Sequence, residues 1–220
     1  MKKYKAIILV IASPSGYYNK NKQVMKKFMN SNPDILTLFI YGIVNKKFVT
    51  PSKYDLFFNC PESIRPGILM KSMMAFGHIL ERYDFDYVVR TNISTFWHFN
   101  NLLNVLDKLP NKNCIAGKIN KKNFISGTSI ILSKDLIEYI VKNTNKIRIN
   151  ISDDVELSHF YKSELKLPLI RVPRCDKYVN KFPLNTQSIP KNYICYRVKT
   201  NNNRYMDSIK MLKLFKVFYK

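Results

Sequence analysis

A chain of 220 residues with 46% hydrophobic and 13% aromatic content has enough apolar mass for one substantial core, which argues against disorder and fits a single domain over residues 1–220. Its 37 Lys and Arg against 15 Asp and Glu give a formal net charge of +22, but the basic residues run from Lys2 to Lys220 without a long block, so the field favours anionic ligands in general over a specific nucleic-acid module. Cys60, Cys114, Cys175 and Cys195 lie far apart with no C-x-x-C pair and no matching histidine spacing, which excludes a zinc ribbon and reads as buried, reduced thiols.

The opening MKKYKAIILVIASPSG has the basic start and apolar run of a signal peptide, but the run over residues 6–12 is short and ends in a Pro-Ser-Gly turn. It reads instead as a buried first strand. Nothing else approaches the length of a membrane span, so the expected location is cytoplasmic. A helical pattern over residues 21–29 follows, then a strand at 35–41 that ends at Gly42, a short strand at 55–59 and a loop at 60–67. Leu69, Met73, Phe76, Ile79 and Leu80 recur at helical spacing over residues 68–82, a helix that feeds a strand at 87–90. Strands and helices in alternation specify an α/β, Rossmann-like domain in which helices flank a central mixed, mostly parallel sheet.

Beyond Trp97 the pattern predicts a helix at 100–109, a strand at 114–119 and an extended segment at 124–132. Ser133 suits the N-cap of a helix over 134–142, with Asp135 in its first turn. Asp153 and Glu156 form a D-x-x-E capping-box variant that opens a helix running to about 164. The tail 208–220 sets Lys210, Lys213, Lys216 and Lys220 among apolar residues. Packing on its own domain is the preferred reading of this helix, and peripheral contact with a membrane surface the other.

Chemistry concentrates in three segments. In YDFDYVVRTNISTFW an apolar strand runs into small polar groups, and ligands of open α/β sheets bind at the carboxyl ends of strands. Arg90, Thr91, Asn92 and Ser94 would stand there. FISGTSIILS supplies a glycine turn at Ser126-Gly127, and ISDDVELSHFY supplies the carboxylate pair Asp153-Asp154 at a helix start.

With Lys71 on the preceding helix, Arg90-Thr91-Asn92-Ile93-Ser94 at the strand end, Ser126-Gly127 leading to Ile131-Leu132-Ser133, and then Asp153-Asp154-Val155, the chain resembles the GT-A-fold glycosyltransferases of the β-1,3-galactosyltransferase and Fringe type. The likeness covers roughly residues 5–165. It implies a GT-A domain, a nucleotide-sugar donor of the UDP class, a glycan, glycoprotein or glycolipid acceptor, and inverting transfer with Asp154 as general base. The Lys- and Asn-rich composition fits a viral or other AT-rich genome.

One departure matters. The family's D-x-D, whose carboxylates hold a divalent cation against the donor diphosphate, is Asn92-x-Ser94 here, and neutral oxygens hold Mn2+ or Mg2+ far more weakly than carboxylates do. No metal ligand is therefore assigned. Asp84-x-Asp86 reads as an intact D-x-D, but it precedes the strand and so belongs at the opposite end of the sheet. Without a metal, the cluster Tyr196-Arg197-Val198-Lys199, followed by Arg204, is available to offset the leaving group's charge, with Arg197 and Lys199 as diphosphate ligands.

The remaining donor contacts fall at Ala12 and Ser13, with Tyr41 beside them, for the nucleoside; at Lys71 and Glu62 on the adjacent wall; at Thr91, Asn92 and Ser94 for sugar or ribose hydroxyls; and at Phe124, Ser126 and Gly127 under the donor sugar. Arg90 would pair within the site or reach a phosphate. Trp97 reads as core ahead of sugar stacking, and His78, His98 and His159 show no ligand spacing. Two other classes remain: a catalytically weak glycosyltransferase-like binding protein, motivated by Asn92 and Ser94, and a basic nucleic-acid-binding protein, motivated by charge alone.

Overall fold

The computed structural model describes residues 2–14, 16–43, 51–176, 185, 187–200 and 203–220. Its main sheet has seven strands in the order β3-β2-β1-β4-β7-β6-β8. These are β1 (Lys3–Ile11), β2 (Ile35–Tyr41), β3 (Asp55–Phe57), β4 (Asp84–Asn92), β6 (Ile115–Gly117), β7 (Ile130–Ser133) and β8 (Leu169–Arg171). β3, β2, β1 and β4 run parallel, β7 is antiparallel to both of its neighbours, and β6 pairs parallel with β8, so the sheet is mixed and mostly parallel. A separate ribbon joins β5 (Thr95–Trp97) to β9 (Cys195–Arg197).

The first strand shows why its sequence is apolar without alternation. Ala6, Ile8 and Val10 face one core, whereas Ile7, Leu9 and Ile11 face another, because helices cover both sides of a parallel sheet. On the first side lie α1 (Gly16–Met25), α3 (Phe99–Leu106) and α6 (Tyr205–Phe218). On the second lie α2 (Gly67–Arg82), α4 (Lys134–Lys142) and α5 (Asp153–Glu164). Phe76 and Ile79 of α2 and Leu136, Ile137 and Ile140 of α4 are fully or almost fully buried. Burying such side chains is worth roughly 1.5–3 kcal/mol each.

The terminal helix packs on its own sheet: Met211 and Leu214 are buried, and Phe215 and Tyr219 stack around Phe28 at centroid distances of 6.3 and 5.3 Å. No helix among the described residues is long and apolar enough to cross a membrane. Three expectations need adjustment. The first helix begins at Gly16 and ends at Met25, earlier than residues 21–29, because the apolar spacing continues through hydrogen-bonded turns that bury Phe28 and Met29. β4 extends to Asp84 and Asn92 because β1 pairs with it along its whole length. The Arg90-Thr91-Asn92 motif therefore lies within the strand's last turn of pleat. Ser133 occupies the N-cap position of α4, yet its hydroxyl accepts the Cys114 N–H at 3.0 Å instead of capping the helix.

Candidate active site

Between β1 and β4 the order of the sheet reverses direction along the chain, and the carboxyl ends of these two strands are where an open α/β sheet leaves a crevice. A cavity of about 320 Å³ opens there, bounded by Asn92 at the end of β4 and Ser94 just beyond it, Tyr17 and Tyr18 of α1, and Arg197 and Arg204. Ile11, Ile64 and Lys199 complete its rim. A larger cavity of about 380 Å³ sits among Tyr4, Tyr54 and Tyr83 at the amino ends of the strands, the opposite end of the sheet from Asn92 and Ser94. Volume alone would choose that cavity. The polar convergence favours the smaller one.

Arg90 organises the floor. Its side chain points inward from β4 and is only 2% exposed. One guanidinium nitrogen, Nη2, lies 2.6 Å from Asp153 Oδ2. The other, Nη1, donates to Asn92 Oδ1 at 2.9 Å and to the Gly127 carbonyl. These partners meet the buried charge and both terminal nitrogens, leaving Nε without a hydrogen bond, and Arg90 thereby ties the strand end, the glycine turn and the head of α5 into one unit. Gly127 in turn donates its N–H to Asp154 Oδ2 at 3.0 Å, and Asp154 Oδ1 accepts the Val155 N–H at 3.0 Å. A Cβ on Gly127 would stand 2.8 Å from Arg90 Nη1 and 3.2 Å from Asp154 Oδ2, so only glycine fits this approach.

The head of α5 differs from a capping box. Ser152 takes the N-cap position, and Asp153, one residue on, aims its carboxylate at Arg90. Glu156 binds the Arg148 N–H and guanidinium at 2.9 Å each. Burial pushes the Asp153 carboxyl above its usual range; Arg90 opposes the shift and neighbouring Asp154 adds to it. Asp154 is half-buried and does not line the cavity; it connects to Asn92, which does, through Gly127 and Arg90.

The other expected residues separate into two groups. Asn92, Ser94, Arg197 and Lys199 reach the cavity together. Lys71, fully buried, donates to the Ala12 carbonyl at 2.9 Å and to Glu62 at 2.5 Å, and Glu62 accepts the Gly42 N–H at 2.7 Å. These contacts brace the ends of β1 and β2 around Ala12 and half-buried Ser13, with the Lys71 charge held inside the wall. Burial lowers the Lys71 pKa, against the opposing pull of Glu62. Thr91 donates to the Thr128 carbonyl at 2.6 Å and accepts the Trp97 indole N–H at 3.2 Å, so both side chains belong to the core. His98 caps α3 by accepting the Asn101 N–H, and His159 is exposed. Asp84 and Asp86 lie at the far end of β4, paired with Lys134 and with Lys3 and Lys5.

Sequence reasoning missed a second buried arginine. Arg174 grips Asp176 through two nitrogens at 2.8 and 3.0 Å and donates to Ser126 Oγ at 2.8 Å. Burial tends to raise the Asp176 pKa, but bonds from Arg174 and Lys118 outweigh it and hold the carboxyl below its usual range. The Arg-Val-Pro-Arg-Cys-Asp run at residues 171–176 carried no motif, and only the pairing of Cys175 with Tyr196 brings it beside Ser126 and Arg197. Arg197 feels burial first and then the neighbouring charge of Arg174, and both lower its pKa.

The residues present do not fit the divalent cation that the fold family implies. Asn92 offers a neutral oxygen already engaged by a guanidinium, Asp153 is committed to the same guanidinium, and both Asp154 oxygens accept backbone N–H groups. A dication placed there would face Arg90 and find no carboxylate oxygen that is not already engaged. Among the described residues no cluster of three or more acidic, His or Cys side chains forms elsewhere.

No known family profile matches the chain, and no curated protein matches it by sequence. Solved structures do share its fold. A glycosyltransferase involved in the glycosylation of the major capsid of PBCV-1 superposes with a TM-score of 0.56 at 10% identity, over 94% of this chain and 98% of that one. The apo form of the glycosyltransferase GlyE of Streptococcus pneumoniae TIGR4 gives a TM-score of 0.50 at 10% identity, over 98% of this chain. This chain spans 64% of the length of GlyE. The fold is thus the α/β fold found in these glycosyltransferases.

Proposed function

We propose that the protein is a glycosyltransferase that moves a sugar from a nucleotide donor of the UDP class to a hydroxyl of a glycan, glycoprotein or glycolipid acceptor, with inversion. The observation that supports this most is the continuous linkage Asn92–Arg90–Gly127–Asp154 beside a cavity whose wall carries Arg197 and Lys199. In this reading the nucleoside lies over the ends of β1 and β2 at Ala12, Ser13 and Tyr41, and the diphosphate meets Arg197 and Lys199. The donor sugar rests above Ser126 and Gly127, where the absence of a side chain permits close approach.

Asp154 takes the proton of the acceptor hydroxyl as its oxygen bonds to the anomeric carbon. The bond from that carbon to the phosphate oxygen breaks, and the diphosphate leaves with the electron pair. A positioned base contributes on the order of 10²- to 10⁴-fold. Protein cations offset the leaving group's charge without a metal. Arg90 acts through others: it fixes Asn92, Gly127 and Asp153 and makes no donor contact.

The test is a panel of sugar nucleotides scored by thermal shift and by release of nucleoside diphosphate, each with and without EDTA. The expected result is a shift and slow release for one donor, both unaffected by EDTA, with release lost in Asp154→Asn and the shift retained. No shift with any donor, together with tight, salt-sensitive binding of DNA, would overturn the proposal. Release abolished by EDTA would overturn its metal-independent form.

A further inference from the structure

Arg204 lies outside the three motif segments, and its surroundings are hard to explain by stability alone. Its guanidinium sits over the rings of Tyr17 and Tyr18, with the central carbon 5.4 and 5.9 Å from their centroids. Nη2 is 3.2 Å from Asp207 Oδ2, and Asp207 is itself fully buried. Asp207 Oδ1 accepts the Thr200 N–H at 2.7 Å, which ties the segment bearing Lys199 to the first turn of α6. Nη1 of Arg204 is buried and has no hydrogen-bond partner. Tyr17, Tyr18, Lys199 and Arg204 border the 320 Å³ cavity, where Arg197, Lys199 and Arg204 bring three cations together.

Buried donors are almost always satisfied, so the orphan Nη1 shows that the Arg204 guanidinium is not fully paired within the protein. Like charges crowded into one cavity are stable only when something negative offsets them. The single carboxylate held against Arg204, on Asp207, is shared with the Thr200 backbone. The rigid aromatic support and the Asp207 anchor hold Arg204 in place before any ligand arrives, which reduces the entropy lost on binding.

We infer that Arg204 is a third anion ligand of this cavity, aimed by Asp207 and the Tyr17–Tyr18 pair, and that with Arg197 and Lys199 it forms a preassembled site for a diphosphate group. The inference rests on the donor reading for its biological ligand, but the anion site itself is tested apart from any sugar. A planar guanidinium on the cavity wall suits two oxygens of one phosphate, whereas Lys199 supplies a point charge to the other. Asp207 is a positioning residue: it touches Arg204 and Thr200 and does not reach the ligand.

The experiment measures binding of inorganic diphosphate, UDP and uridine to the full chain by calorimetry, at fixed ionic strength and in EDTA. Wild type is expected to bind diphosphate and UDP and to bind uridine much more weakly. Arg204→Gln should weaken diphosphate by about 10- to 100-fold, as expected for loss of a charge-assisted hydrogen bond, and Arg204→Lys should recover part of that loss. Asp207→Asn retains an oxygen for Thr200, so it should keep most of the fold while loosening Arg204, with a smaller loss of diphosphate affinity. Tyr17→Leu removes one aromatic support without touching Asp207 and provides a second test should Asp207→Asn unfold.

Equal diphosphate affinity in wild type and Arg204→Gln, with both variants folded, would overturn the inference while leaving the donor reading intact. Arg204-dependent diphosphate binding with no affinity for any sugar nucleotide would sustain the anion site and overturn the donor reading. Failure of the wild type to bind either diphosphate or UDP in EDTA would overturn the preassembled site.

Discussion

Replacing Arg90 by Met tests the organising role of the buried arginine. The change leaves the Asp153 carboxylate, 7% exposed as a residue, without the guanidinium that stands 2.6 Å away, and removes the donor that holds Asn92 Oδ1 and the Gly127 carbonyl. Breaking a buried pair by deleting one partner costs about 3–5 kcal/mol. For a chain of this length each kcal/mol moves the midpoint by roughly 2–4 °C, so Tm should fall by roughly 6–20 °C. Asp153→Asn in the Arg90→Met background removes the stranded charge and should recover much of the loss.

The pH dependence has a definite sign. The folded-state pKa of Asp153 is already raised, chiefly by burial, so its ionisation disfavours the native state; the associated stability is present below the unfolded value of about 3.9 and is lost as pH rises through the folded pKa. Without Arg90 that pKa rises further. The defect of Arg90→Met should therefore be largest near neutral pH and shrink on acidification, as seen by urea denaturation between about pH 4 and pH 7. A defect below about 1 kcal/mol, one that does not vary with pH, or one that Asp153→Asn deepens would refute the reasoning.

Gly127→Ala should destabilise by about 1–3 kcal/mol, because its Cβ falls 2.8 Å from a nitrogen of the Arg90 guanidinium, a group that Asn92, Gly127 and Asp153 hold in place; thermal melts check this, and transfer activity should fall as Asp154 is displaced. Replacing both Asp84 and Asp86 by Asn should leave donor binding unchanged, since their partners Lys134, Lys3 and Lys5 lie at the other end of the sheet; calorimetry with UDP decides. Trp97→Phe should cost about 0.5–1.5 kcal/mol for the lost bond to Thr91, beyond any packing change, without altering donor affinity.

How far the sequence speaks depends on the range of the interaction. β2 and α5 match their expected spans because a continuous apolar run and a clear first turn are local signals. The two strands of the β5–β9 ribbon are three residues long and exist through pairing between segments about a hundred residues apart, which no local pattern announces. The same distinction applies to the site. Position in the chain sufficed to suspect Asn92, Ser94, Arg197 and Lys199, which share one cavity. The capping role expected of Asp153 yields to a partner 63 residues earlier, since a buried guanidinium makes a stronger demand on a carboxylate than a helix end does. Lys71 reads from the sequence as a donor contact on the wall of the site, and its complete burial against Ala12 and Glu62 is visible only in the structure.

The central claim is most directly tested by a crystal structure with UDP bound. The account predicts diphosphate oxygens within hydrogen-bond distance of Arg197 and Arg204, in the cavity beside Asn92, with the Asp154 carboxylate facing the terminal phosphate across Gly127. Nucleotide seated instead among Tyr4, Tyr54 and Tyr83, or held through a metal at Asp84 and Asp86, would contradict it.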